Sequence, residues 1–272
     1  MKKICFVGGG NMASAMLAGL RKKHPTLDCH IIEPFAEARE KLAALTLNVT
    51  LYPAATRAAV AGADAVVLAV KPQVLGQVCG ELLPCLDGEL IVSIAAGVRI
   101  NTLARWLGGH RRIVRTMPNT PALIGQGVTG LYAPAALAAT DLATATELMQ
   151  STGVVISVKT EDMIDAVTAV SGSGPAYVFH WIEAMLAAAA DAGFNALDAR
   201  TLVFGTLNGA TALAAAANVS PGVLRERVTS KGGTTAAALA VLNERDVAGA
   251  MLDAVRAAKN RGAELGDLLD RE

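Results

Sequence analysis

A chain of 272 residues is long enough for two domains of ordinary size and a sizeable core. Its 24 basic and 24 acidic side chains balance to a formal charge of +0, with no long run of either sign, which leaves no electrostatic footprint for nucleic acid or an anionic membrane surface. Ile4-Cys5-Phe6-Val7 is too short for a signal-peptide core, and no stretch approaches the roughly 18 uninterrupted apolar residues of a membrane span.

Hydrophobic residues make up 53% of the chain and aromatics only 4%, so the core is built mainly from Ala, Val, Leu and Ile. Cys5, Cys29, Cys79 and Cys85 sit in apolar stretches without metal-ligand spacing. They are expected to be buried free thiols in a cytoplasmic protein, with no metal centre.

The chain opens with Ile4–Val7, a β-type run, followed by Gly8-Gly9-Gly10-Asn11-Met12-Ala13 and a helical pattern over Met12–Lys23. Gly8-x-Gly10-x-x-Ala13 between strand and helix is the arrangement that binds a dinucleotide pyrophosphate. Gly8 permits the tight turn, Gly10 the close approach of backbone to phosphate, and Ala13 the close packing of helix on strand. Strands are expected at Cys29–Ile32, Val49–Leu51, Ala65–Ala69, Leu90–Ser93 and Ile113–Arg115, with helices over Ala36–Leu45, Gln73–Leu83 and Ile100–Leu107. This alternation predicts a parallel sheet wrapped by helices. Val128–Tyr132 and Val154–Val158, around a helix over Leu142–Ser151, extend the same sheet.

Glu33 ends the second strand, where a carboxylate accepts hydrogen bonds from the adenosine ribose and repels a 2′-phosphate. That favours NADH, while Arg39 and Lys41 downstream leave NADPH open; a plain helix-capping role for Glu33 is the alternative. Val70-Lys71-Pro72 and Ala95-Ala96 follow two further strands and fall at the carboxyl edge of the sheet, where ligands bind. Lys71 is either a cofactor contact or an ordinary surface lysine. Arg115-Thr116-Met117-Pro118-Asn119-Thr120-Pro121 forms a rigid loop at the same edge, exposing the polar pair Asn119-Thr120.

After Thr160 the pattern becomes Ala-rich and helical, with breaks at Gly172–Pro175, Gly193–Asn195, Asn218–Gly222 and Ser230–Gly233. The boundary is set near Lys159, giving a Rossmann-type α/β domain over 1–159 and an all-helical domain over 160–272. Helices apolar over most of their circumference bury a second face against another subunit, so an oligomer is expected. Within this half Val228-Thr229-Ser230-Lys231-Gly232-Gly233-Thr234-Thr235 runs a second glycine turn into a helix, again a site for an anion. Between Lys159 and Lys259 the only lysine is Lys231 and the only histidine His180. No Ser-His-Asp set or metal cluster is recognisable, and His180 and Trp181 read as core or subunit contacts.

Together these segments resemble the pyrroline-5-carboxylate reductase family over nearly the whole chain. Gly8–Ala13, Val70–Gln73, Arg115–Pro121 and Ser171–Tyr177 look like family segments in the expected order. The most specific likeness is Val228-Thr229-Ser230-x-Gly232-Gly233-Thr234-Thr235, continuing to Leu239 and Leu242-Asn243. Lys231 departs from the proline common there, and Ala217–Ser220 lacks a common carboxylate.

The resemblance implies reduction of 1-pyrroline-5-carboxylate to L-proline by NADPH or NADH, in a homodimer or larger homo-oligomer built through the C-terminal helices. It implies cofactor contacts at Gly8, Gly10, Asn11, Met12, Glu33, Val70, Lys71, Pro72, Ala95, Ala96 and Asn119. Substrate contacts fall at Ser230, Gly232, Gly233, Thr234 and Thr235, with the Thr235 hydroxyl near the imine nitrogen as the catalytic group; alternatively Thr234 and Thr235 are ordinary helix N-caps. Two rivals are a β-hydroxyacid dehydrogenase, which needs a base lysine that Pro175–His180 does not offer, and a non-catalytic NAD(P)-binding regulatory protein, which has no use for the second turn.

Overall fold

The computed structural model describes residues 1–45 and 48–271. They form two compact units, Met1–Pro175 with Ala257–Glu272, and Ala176–Arg256. The first holds an eight-stranded sheet of β1 (Lys3–Val7), β2 (Asp28–Ile32), β3 (Thr50–Tyr52), β4 (Ala65–Leu68), β5 (Ile91–Ser93), β6 (Ile113–Met117), β7 (Gly127–Tyr132) and β8 (Gly153–Ser157). Its spatial order is β3-β2-β1-β4-β5-β6-β7-β8. Strands β1 to β6 are parallel, linked through α1 (Asn11–Lys23), α2 (Ala36–Ala44), α3 (Arg57–Val60), α4 (Pro72–Leu82) and α5 (Ile100–Trp106). Strand order reverses between β1 and β4, the switch point at which open α/β sheets bind ligands. The sheet is of Rossmann type.

Side chains alternate across the sheet as the two-residue strand period requires. Ile4 and Phe6 of β1 join Met16, Leu17 and Leu20 of α1 in one buried layer. Cys5 and Val7 join Leu75, Cys79 and Leu82 of α4 and Leu103 of α5 in the other. All four cysteines are buried and free, as expected.

The last two strands reverse direction, which the sequence pattern did not indicate. Between β6 and β7 lies only a short 3₁₀ turn, Thr120–Ile124. A parallel return needs a crossover of about a dozen residues or more, so β7 pairs antiparallel to β6. Helix α6 (Ala139–Met149) then provides a crossover, and β8 lies parallel to β7.

No strand follows β8 among the described residues, yet the compact units divide elsewhere than at Lys159. Residues 160–175 and 257–271 belong to the same compact unit as the sheet. Helix α7 (Met163–Val167) passes into a π-helical segment, Thr168–Gly172, and then α8 (Gly174–Asp191). The expected break at Gly172–Pro175 is therefore a local widening: Ser173 N–H donates to the Thr168 carbonyl at 2.8 Å, five residues back. Pro175 is tolerated because it falls in the first turn of α8, where an amide hydrogen has no helical acceptor.

The second unit holds the rest of α8, α9 (Ala196–Ala216), α10 (Pro221–Arg227), α11 (Thr234–Glu244) and the start of α12 (Val247–Leu269). Asn195 caps α9 and Ser220 caps α10 through their side chains. Across α8 to α11 only Ala199 and Val203 are buried. Phe179, Leu197, Leu213 and Val241 are each more than half exposed. A chain that functions alone rarely leaves so many large apolar side chains to water. His180 and Trp181 are not core residues of the chain: the His180 side chain is 86% exposed, and Trp181 is 40% exposed.

Candidate active site

The cofactor turn follows from the close approach of β1 to β4. Gly8 has φ +98°, and a Cβ there would lie 2.8 Å from the Ala69 carbonyl oxygen. Only glycine fits both that backbone conformation and that space. Its N–H donates to the Ile32 carbonyl at 2.8 Å. Gly10 is the N-cap of α1, no side chain caps it, and a Cβ added there would meet nothing within 4 Å. The first turn of α1 is thus left uncapped beside open space, with Asn11 exposed and Met12 half-buried. Ala13 is fully buried against the strands. Lys71 is the N-cap of α4 with Pro72 at the first helical position, and again no side chain caps the helix. Two uncapped helix N-termini, with exposed Lys71 at one of them, therefore stand at adjacent positions on one sheet edge. This donor set suits a pyrophosphate.

Glu33 is only 7% exposed. Gly9 N–H donates to its Oε2 at 3.0 Å and Phe35 N–H to its Oε1 at 3.0 Å. The carboxylate braces the turn from below, and it does so without capping α2, whose N-cap is Phe35. Arg39 donates to the carbonyls of Glu33 and Pro34, both at 2.8 Å. Its guanidinium is thereby engaged with the β2–α2 loop. Glu33, Gly8 and Val70 line a cleft of about 350 Å³ whose remaining walls include Pro34, Phe35, Pro53, Val74 and Val78. An apolar slot beside a carboxylate at the β2 end suits an adenosine moiety. Phe35, Val74 and Val78 were missed from sequence, although Phe35 lies in the loop after β2 and Val74 and Val78 lie on the helix that follows β4.

Beyond the switch point, Ala95 is buried and Ala96 half-buried in the loop after β5. Ala95 N–H donates to Ser93 Oγ at 3.3 Å, and Thr116 Oγ1 donates to the Ser93 carbonyl at 2.9 Å. Asn119 is 9% exposed. Its amide donates to the Ser171 carbonyl and Oγ at 3.2 and 3.1 Å and accepts from Val128 N–H at 2.9 Å. It ties the β6 loop to the π-helical segment, a structural duty the sequence did not disclose. Next to it, Arg115 is 1% exposed and pairs with Asp165 at 2.7 Å and Glu161 at 3.3 Å.

The second glycine turn lies in the helical unit. Gly232 has φ +73°, and Gly233 N–H donates to the Ser230 carbonyl at 3.1 Å. Gly233 is the N-cap of α11, with no side-chain cap. Thr234 and Thr235 are thus the first two helical residues, which corrects the alternative in which they cap the helix. Ser230, Lys231, Gly232 and Thr234 are exposed, and Thr235 is half-buried. The turn offers uncapped amides and hydroxyls, the donor set for a carboxylate.

Residues 161–265 match the family model described as pyrroline-5-carboxylate reductase dimerisation, and residues 3–97 match that described as NADP oxidoreductase coenzyme F420-dependent. The pyrroline-5-carboxylate reductase of Pseudomonas aeruginosa is 43% identical over 270 residues, 98% of each chain. That of Escherichia coli is 37% identical over 266 residues, 97% of this chain and 98% of its own. The solved structure of a pyrroline-5-carboxylate reductase from Coxiella burnetii superposes with a TM-score of 0.87 at 37% identity, covering 96% of this chain and 97% of that one. The Plasmodium falciparum pyrroline carboxylate reductase, solved with NADP bound, gives 0.86 at 28% identity, covering 97% and 98%. Likeness at this identity over nearly the entire length, with the dimerisation region included, makes the chain a member of the pyrroline-5-carboxylate reductase family.

Proposed function

We propose that this protein reduces 1-pyrroline-5-carboxylate to L-proline with NADH or NADPH, as a cytoplasmic homodimer or larger homo-oligomer joined through its C-terminal helices. The observation that carries this reading is the pair of uncapped glycine-turn helix N-termini, at Gly10 and Gly233. One suits the pyrophosphate of a dinucleotide and the other a substrate carboxylate. A regulatory dinucleotide binder has no use for the second turn, and a hydroxyacid dehydrogenase needs a base on α8 where Pro175–His180 supplies no lysine. Apolar residues exposed along α8, α9 and α11 support the oligomer.

In this reading Gly8, Gly10, Asn11 and Met12 hold the pyrophosphate, and Glu33 takes the adenosine ribose. Val70, Lys71 and Pro72 flank the phosphates, Ala95 and Ala96 border the nicotinamide half, and Asn119 shapes that wall. When bound, the reduced nicotinamide supplies the hydride for the C=N carbon of the imine. The amides of Gly232, Gly233, Thr234 and Thr235, with the Ser230 hydroxyl, orient the carboxylate. The Thr235 hydroxyl hydrogen-bonds at the imine nitrogen. A protonated cyclic imine is already a strong electrophile, so the chain's contribution is orientation and electrostatics rather than a strong acid.

The test is single turnover with cofactor carrying deuterium at the transferable C4 position. Deuterium recovered at C5 of proline supports the reaction. Cofactor binding without label transfer refutes it and leaves the regulatory reading.

A further inference from the structure

The last turns of α12 pack on the loop that follows β5, on the side of the switch point away from the adenosine cleft. The two segments lie about 170 residues apart in sequence, as the 171-residue separation of Arg99 and Asp270 records. Arg99 Nη1 contacts Asp270 at 2.6 Å and Asp267 at 2.7 Å. Thr102 Oγ1 donates to the other oxygen of Asp270, and Arg105 donates to the Leu269 carbonyl at 3.2 Å. The backbones meet through glycines. A Cβ on Gly266 would lie 3.2 Å from the Gly97 carbonyl oxygen, and one on Gly97 would lie 3.3 Å from Leu265 Cβ. Leu269 completes the contact by packing on the apolar layer that contains Val98 and Leu103.

This clamp leaves the 94–98 loop little freedom. On its inner side the loop is pinned by the Ser93–Ala95 and Thr116–Ser93 hydrogen bonds. On its outer side it is held by Gly266 and by the Arg99 pairs. Residues 94–98 carry no titratable side chain, and the two carboxylates are engaged by Arg99 and Thr102, so their effect on binding runs through backbone position.

We propose that Arg99, Asp267, Asp270 and Gly266 are positioning residues for the nicotinamide half of the cofactor, acting by fixing Ala95 and Ala96. This inference rests on the reading of that loop as the nicotinamide border. A clamp of this kind raises affinity by pre-organisation, because the ordering is complete before the ligand arrives.

The test compares two ligands on the purified full-length protein. Reduced dinucleotide needs both halves of its site, whereas ADP-ribose occupies only the adenosine and pyrophosphate half. In Asp267→Asn/Asp270→Asn, the Kd for reduced dinucleotide is expected to rise about three- to tenfold, consistent with loss of partly exposed ion pairs. The Kd for ADP-ribose should not change. Gly266→Ala, whose Cβ would press on the Gly97 carbonyl oxygen and on the Arg99 guanidinium while leaving both carboxylates in place, should give the same split, and Asp270→Glu with Asp267 retained should restore wild-type binding. Hydrogen exchange of the 94–98 amides should quicken in the first two variants. The proposal is overturned if both ligands weaken equally, which marks a general loss of structure, or if neither changes. Label transfer to proline in the wild type judges the reaction separately, since these ratios do not depend on turnover.

Discussion

Gly9 N–H donates to Glu33 Oε2 at 3.0 Å, so the carboxylate that ends β2 is built into the phosphate-binding turn itself. Both oxygens are held by backbone amides, and Glu33 is 7% exposed at the wall of the cleft beside Phe35 and Val74. A 2′-phosphate bound beside it would place like charges together. Arg39, the nearest cation in sequence, is engaged with the carbonyls of residues 33 and 34. The wild type is therefore expected to bind NADH more tightly than NADPH. Glu33→Ala should weaken NADH binding, because two amides lose their acceptor, and move the NADPH-to-NADH affinity ratio about tenfold toward NADPH. Fluorescence titration of both cofactors checks this, and an unchanged ratio counts against Glu33 as the selector.

Gly8→Ala places a Cβ 2.8 Å from the Ala69 oxygen at φ +98°. The left-handed conformation alone costs an ordinary residue roughly 1–2 kcal/mol, and relief of the clash must move the turn away from β4. Reduced-cofactor binding should fall at least about tenfold while the circular dichroism spectrum stays native. Titration against wild type measures it.

Arg115 and Asp165 form a buried pair at 2.7 Å, with exposures of 1% and 5%. Asp165→Ala leaves the guanidinium in the core with Glu161 alone, at 3.3 Å. Removing one partner of a buried ion pair typically costs about 3–5 kcal/mol, and the urea midpoint should drop accordingly. A shift under about 1 kcal/mol would place the pair among weak surface bridges.

Burial raises the Cys5 and Cys79 thiols to about 12, and burial likewise raises Cys29. The thiolate is the reactive form. The native protein at pH 8 should show no rapid reaction at these three sites with an aromatic disulfide reagent, and all four thiols should react after denaturation.

Burial alone would raise the Asp270 carboxyl, but the hydrogen bond from Thr102 and the pair with Arg99 outweigh it and hold the group below its ordinary value. A carboxyl whose folded value lies below its unfolded value of about 4 adds stability that is complete above that pH and is lost as pH falls through the folded value. The stability difference between wild type and Asp270→Asn should therefore be present at pH 7 and shrink below about pH 4, as followed by thermal unfolding.

The sheet domain and both glycine turns were legible because their signals are local. Gly8, Gly10 and Gly233 stand where a strand or turn meets a helix, and the two-residue and helical periods name the buried faces of β1 and α1. Three features were not legible, each for a physical reason. The reversal of β7 depends on the shortness of a linker that carries Pro118 and Pro121. The passage of α7 into α8 through Gly172 is a hydrogen-bond shift of one residue, and neither composition nor period registers it. The Arg99–Asp270 clamp and the duties of Asn119 are contacts between distant segments, fixed only once the sheet has formed.

The central claim is that the first turn holds a dinucleotide while the Ser230–Thr235 turn reads the carboxylate of a cyclic imine. Loss of reduced-nicotinamide absorbance, followed with 1-pyrroline-5-carboxylate and with 1-pyrroline lacking the carboxylate, tests it most directly. The account predicts rapid oxidation with the first and a kcat/KM about 100-fold lower or less with the second, as expected when hydrogen bonds to a charged group are lost. Equal rates for the two imines, or no oxidation with either, would contradict it.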